Sequence, residues 1–210
     1  MRPSSLLAVL LLGCSHGPEP CLGIESCPLN AECLAARCVA AGSPPVDPAT
    51  RRRSAIPSRM ALARDELRED VGPSVVLGAP GEDAALFLRF TPIWRGAPID
   101  AAFLILEPAP RTLTREDVPL EVSRIQGAWE ASSEPRKRLS QALPSVRGIG
   151  RAFPEGPIRI DVTPIVAYLA RHPEEDRGLA VAATREVPPG LAISTGLDGG
   201  SPPRLEVYLR

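Results

Sequence analysis

The sequence predicts an all-β fold: a β-sandwich or jelly roll of about eight short strands with one short helix, preceded by a small disulfide-rich segment and a flexible linker. Three observations carry this expectation. Runs of alternating apolar and polar residues recur at short intervals from Pro73 onward. The 25 prolines and 17 glycines supply turns at a frequency suited to short strands. Aromatic residues make up only 4% of the 210 residues, so the core is built mainly from Leu, Ile, Val and Ala.

The chain opens with Arg2 and a compact apolar stretch, Leu6 to Leu12. That stretch is far below the ~20 residues a membrane-spanning helix needs, so it reads as a signal sequence. It ends Leu11-Leu12-Gly13-Cys14, which resembles the lipobox of bacterial lipoproteins. The resemblance implies that residues 1–13 are removed and Cys14 becomes the lipidated first residue. Ser15, rather than the aspartate linked to inner-membrane retention, implies the outer membrane. Several acyl chains on Cys14 would hold the protein stably where one chain binds only marginally. An ordinary secretory peptide with a chance cysteine is the plainer alternative.

Beyond Cys14 the chain has Cys21, Cys27, Cys33 and Cys38. An even number in an exported chain predicts two disulfides, with three connectivities open. No close C-x2-C pair is present, so no metal is expected. Residues 14–39 therefore form a disulfide-bonded spacer that compensates for a segment too short to bury a core. Residues 40–58 read as linker, with GSPPVDP extended and Arg51-Arg52-Arg53 a solvated tether or a contact for anionic lipid phosphates. The β-sandwich domain is expected over residues 59–210. Its first stretch, Met60 to Asp70, fits a short helix or an extended segment equally well.

Leu86 to Leu106 organises this domain. Leu86, Leu88 and Phe90 alternate with Phe87, Arg89 and Thr91, the pattern of a strand with one buried face. Pro92, Gly96 and Pro98 fill a hairpin connection. In the second run both Ala102/Leu104/Leu106 and Phe103/Ile105 are apolar, so this strand is expected centrally, between two covering layers. Ser74 to Leu77, Leu120 to Val122, Ile158 to Val162, Leu179 to Val181, Leu191 to Ile193 and Leu205 to Leu209 supply the remaining strands. Ser132 to Gly150 has no period and reads as a long surface loop. Thr163-Pro164 reads as an N-cap and first helical residue, opening a helix to Arg171 that Pro173 stops.

In order, these elements resemble a known family. Leu88-Arg89-Phe90, Trp129-Glu130, Asp161-Val162-Thr163, Gly178-Leu179-Ala180 and Pro203 with Leu205-Glu206-Val207-Tyr208 are similar to the DNRLRE, or disaggregatase-related, β-sandwich domain. The resemblance covers Val71 to Arg210. Thr91 stands where the family has aspartate, and an arginine-containing loop replaces a tryptophan-rich stretch after Trp129. The family implies a module of secreted and surface proteins, implicated in carbohydrate binding, without a catalytic set of its own.

Composition excludes several other functions. A net charge of −1 gives no basic field for nucleic acid. Lys137 is the sole lysine among 24 basic residues, a codon-bias signature rather than arginine selected for phosphate. There is no P-loop or dinucleotide fingerprint, hence no cofactor is expected. His172 ends the helix, where its charge suits the helix dipole, and no G-x-S-x-G elbow accompanies it. The carboxylates of Glu82-Asp83, Glu174-Glu175 and Asp198 read as solvated loop residues. Trp94, in the breaker-rich connection, reads as an exposed platform for a sugar ring, with Arg95 beside it. Trp129 reads as packed.

Taken together, the sequence predicts a non-catalytic, lipid-anchored envelope protein whose sandwich binds polysaccharide or another surface component, with Trp94 and Arg95 as ligand-binding residues. A structural or scaffolding lipoprotein with a protein partner is the nearest alternative, and a polysaccharide-cleaving enzyme a more distant one.

Overall fold

The structure, a computed structural model, describes residues 31–34, 37–40, 51–64, 66–109, 116–127, 144–150, 156–197 and 199–210. The expected signal sequence, Cys14, Cys21, Cys27, Trp129 and Asp198 lie outside them. The first described elements are β1 (Ala31–Leu34) and β2 (Arg37–Ala40), an antiparallel pair that sets Cys33 opposite Cys38. Cys38 is disulfide-bonded.

The domain then runs β3 (Arg51–Ala55), β4 (Pro57–Ala63), β5 (Leu67–Arg68), β6 (Ser74–Leu77) and β7 (Ala85–Phe90). Next come β8 (Ile99–Leu106), β9 (Val118–Arg124), β10 (Ser145–Gly150) and β11 (Ile158–Asp161). One helix among the described residues, α1 (Thr163–Arg171), and a 3-10 turn (Pro173–Glu175) precede β12 (Leu179–Ala183), β13 (Leu191–Ser194) and β14 (Arg204–Leu209).

Two main antiparallel sheets form the sandwich. The six-stranded sheet has the order β10-β9-β12-β7-β4-β5, and the four-stranded sheet the order β11-β8-β14-β3. A short ribbon of β13 and β6 is bridged to the end of the four-stranded sheet through Pro108 and Ile193. The period-2 alternation explains the core. Leu86, Leu88 and Phe90 of one sheet meet Leu104, Leu106, Leu205 and Val207 of the other in one buried cluster. Each such side chain contributes about 1.5–3 kcal/mol on leaving water. The all-β expectation holds.

The details differ in five places, each for a physical reason. Arg51–Ala55, expected as linker, is the edge strand of the four-stranded sheet, with Arg53 opposite Val207. Edge strands carry charge without penalty and are protected by it from further pairing. Pro57–Ala63 is strand, so the expected linker stops short of it, and of the helix and the extended segment left open from Met60 the extended one holds; both Met60/Leu62 and Ala61/Ala63 are apolar, which hides its period. The end of the expected surface loop is β10, whose inward positions are Val146, Gly148 and Gly150. Two of these are silent in hydropathy because the space is taken: a Cβ on Gly148 would stand 2.8 Å from the Ile160 side chain of β11. That contact closes one side of the sandwich.

The connection from β7 to β8 is no hairpin. The two strands lie in different sheets, and the intervening loop crosses the end of the sandwich. Periodicity reports which face of a strand is buried, not which strand it pairs with. Finally, β8 is central in its sheet as expected, but the described cover of its outer face is made of side chains. Arg159 lays its guanidinium 3.8 Å from the centre of the Phe103 ring, and Tyr208 meets the same ring edge-on at 5.9 Å.

Candidate functional site: a cleft at the end of the sandwich

The crossing loop and α1 enclose a cleft of about 800 Å³. One wall is the loop from Pro92 to Ile99. Within it Ala97 N–H donates to the Trp94 carbonyl, closing a tight turn at 3.2 Å. Gly96 has φ +75°, a left-handed conformation that a side chain would strain. The turn lifts Arg95 to the exposed tip, while Arg53 of β3 donates to the Ile93 carbonyl at 3.0 Å and braces the loop from the neighbouring sheet edge.

Trp94 is the correction here. It was expected at the surface, yet it is only 5% exposed and belongs to the main core. The reason is the crossing itself. A loop that spans the gap between two sheets leaves the core open beneath it, and a large apolar side chain stops that opening. Trp94 borders the cleft as part of its base, not as a free platform.

The opposite wall is α1, where Leu169 packs into the core and Ala167, Ala170 and Arg171 border the cleft. The helix is placed by a local network. Thr163 does not cap it as expected, for Val162 is the N-cap residue and the Thr163 hydroxyl turns to β8 instead. It accepts the Ala102 N–H at 2.9 Å, while Asp161 accepts the Thr163 N–H at 2.9 Å. At the far end Arg171 Nε donates to the Ala167 carbonyl at 3.1 Å.

Asp176 completes the cleft and was missed in the sequence among acidic loop residues. The signal was there: in Asp176-Arg177-Gly178 an aspartate precedes a glycine by two, and Asp176 Oδ1 accepts the Gly178 N–H at 3.1 Å. Gly178 has φ +100°, and a Cβ there would collide with the Leu88 carbonyl oxygen. Burial pushes the Asp176 carboxyl above the usual aspartate range, opposed by the Gly178 hydrogen bond and the nearby Arg89 and Arg177. Arg171, the other residue sequence reasoning passed over, carries no motif; only the fold brings it opposite Arg95.

Beside the cleft lies a second polar group. Tyr168 donates to Glu175 at 3.0 Å, which raises the phenol pKa, and Arg124 pairs with the same carboxylate at 2.8 Å. His172 lies against the Tyr168 ring at 4.5 Å between centroids, with Nδ1 3.8 Å from Glu174. Donor atoms of His172, Glu174 and Glu175 fall within 4.8 Å of one another, a spacing that suits a metal ion. Glu175, however, is already engaged by Arg124 and Tyr168, and His172 is too far from Glu174 for a hydrogen bond. The group works as a brace joining α1 to β9.

Of the cysteines, Cys33 and Cys38 face each other across β1 and β2. A scan against protein-family models finds no match, and none of the curated proteins is significantly similar to this chain.

Proposed function

We propose that the chain is a non-catalytic lipoprotein of the cell envelope, anchored at the outer membrane through Cys14, whose DNRLRE-like β-sandwich binds polysaccharide or another surface component. Residues 14–39 serve as a disulfide-bonded spacer between the lipid and the sandwich. The observation that carries the binding role is the cleft. Its walls are mainly apolar, with Arg95, Arg171 and Asp176 as charged groups, the composition and size of a small-ligand site. Apolar walls suit the C–H faces of a pyranose, and the charged groups suit its substituents. Hydrolysis of a glycosidic bond takes a pair of carboxylates, and Asp176 is the one acidic side chain lining the cleft among the described residues.

Calorimetric titration of the purified protein with a panel of neutral and acidic polysaccharides tests this. The expected result is saturable binding of at least one glycan, abolished in Ala170→Trp, which fills the cleft, with the circular dichroism unchanged. Silence with every glycan would overturn it and favour the second reading, a scaffolding lipoprotein with a protein partner. The burial of Trp94 is what speaks for that reading, since it removes the exposed aromatic platform that carbohydrate-binding surfaces commonly present.

A further inference from the structure

We propose that the cleft is selective for acidic saccharides, with the carboxylate of a uronic-acid residue held by Arg95 from the loop wall and Arg171 from the helix wall. This rests on the polysaccharide-binding reading and narrows it to one ligand chemistry.

Arg59 pairs with Glu69, Arg64 with Glu82, Arg204 with Glu107 and Arg210 with Asp100. Arg95 and Arg171 are exposed, line the cleft from opposite walls and pair with no carboxylate among the described residues. Arg171 commits its Nε to the Ala167 carbonyl, which fixes the stem and leaves the Nη atoms free of that bond. A guanidinium presents parallel N–H donors that match a carboxylate, and such charge-assisted bonds are about twice as strong as neutral ones.

Asp176, the one acidic side chain lining the cleft among the described residues, is half-buried and commits Oδ1 to the Gly178 N–H. Arg89 and Arg177 lie near enough to it to favour its charged form and so offset that charge. Cleft walls of low polarity, Pro92 and Pro98 on one side and Ala167 and Ala170 on the other, strengthen the field of the two guanidiniums relative to open solvent. A neutral glycan would fill the same space and leave both donors without a partner better than water. A uronate satisfies them.

The probe is polygalacturonate, compared by calorimetry with its fully methyl-esterified form, which has the same backbone without the charges. The full chain is used, with Arg95→Gln/Arg171→Gln as the test variant and Arg52→Gln, an exposed arginine on the edge strand β3, as the control for diffuse polyelectrolyte attraction. Binding is expected to weaken by at least about tenfold on esterification and by a similar factor in the double variant, with the control unchanged. Dextran sulfate forms a separate arm. Tighter binding of the sulfate than of the carboxylate would overturn the uronate assignment. Equal binding of the acid and the ester, or equal loss in Arg52→Gln, would overturn the inference while leaving polysaccharide binding intact. Failure of every glycan to bind would overturn both.

Discussion

Asp176 is the residue where burial and charge conflict most directly. Burial favours its neutral form, so its pKa in the folded chain lies above the unfolded value. The sign follows from linkage. Its contribution to stability is full below the unfolded aspartate pKa and is lost as pH rises through the folded one. At neutral pH the folded protein therefore bears the cost of holding a half-buried carboxylate. Asp176→Asn keeps an oxygen to accept the Gly178 N–H and removes the charge. The variant is expected to melt about two degrees higher than the parent at pH 7, with the difference closing as pH falls below the ordinary aspartate range. Thermal unfolding followed by circular dichroism at both ends of that range decides it; a parent more stable at pH 7 would show that Arg89 and Arg177 outweigh desolvation.

Helix α1 is short, and its position rests on Thr163 more than on its own propensity. Nine residues form a marginal helix in isolation, so the apolar face of Ile165, Val166 and Leu169 and the tie to β8 must hold it. Replacing Thr163 by the isosteric Val leaves the buried Ala102 N–H without its acceptor, at a cost of about 1–3 kcal/mol. Thr163→Ser keeps the hydroxyl and should cost less than about 1 kcal/mol. Urea titration compares the two, and equal losses would mean that the methyl group, not the hydrogen bond, matters. This tie also marks how far the sequence could be read. Thr163-Pro164 announced a helix start by residue type, correctly to within a residue. Which hydroxyl bonds which strand depends on β8, 61 residues away in the chain at Ala102, lying beside β11 in the same sheet, and no local pattern encodes that. The same holds for Trp94. Its neighbours Pro92, Gly96 and Pro98 signalled a loop, and loops are normally exposed; that this one crosses between sheets and leaves core beneath it is a fact of topology. Strand faces were legible because alternation is local, whereas β10 was not, since Gly148 and Gly150 hold inward positions with no apolar side chain to report them.

At the scale of the molecule, the boundary of the sandwich is set by β3. Composition places Arg51-Arg52-Arg53 in a tether, yet the backbone of Arg51–Ala55 pairs along β14 from Leu209 to Leu205. Ala55 packs against the main core, and Arg53 reaches the loop that walls the cleft. A strand of this kind contributes through ladder hydrogen bonds and through covering the edge of β14, which carries Leu205, Val207 and Leu209 in the core. Its arginines add little by themselves, because exposed charges are well screened. Two truncations separate these roles. A chain beginning at Arg51 keeps β3 and should unfold cooperatively. A chain beginning at Pro57 exposes the β14 edge and loses the brace on Ile93, and should be less stable by about 2–4 kcal/mol, taking each lost ladder hydrogen bond at about 1 kcal/mol net and allowing for the order released. The shorter chain is also expected to associate at high concentration, since a bare edge strand with an apolar inner face is a template for pairing. Denaturant unfolding together with light scattering measures both effects. If the two chains have equal stability and both stay monomeric, β3 is a passenger on the sheet and the sandwich begins at β4; if only the shorter one loses stability, the arginine run is part of the fold and holds the loop wall of the cleft in place.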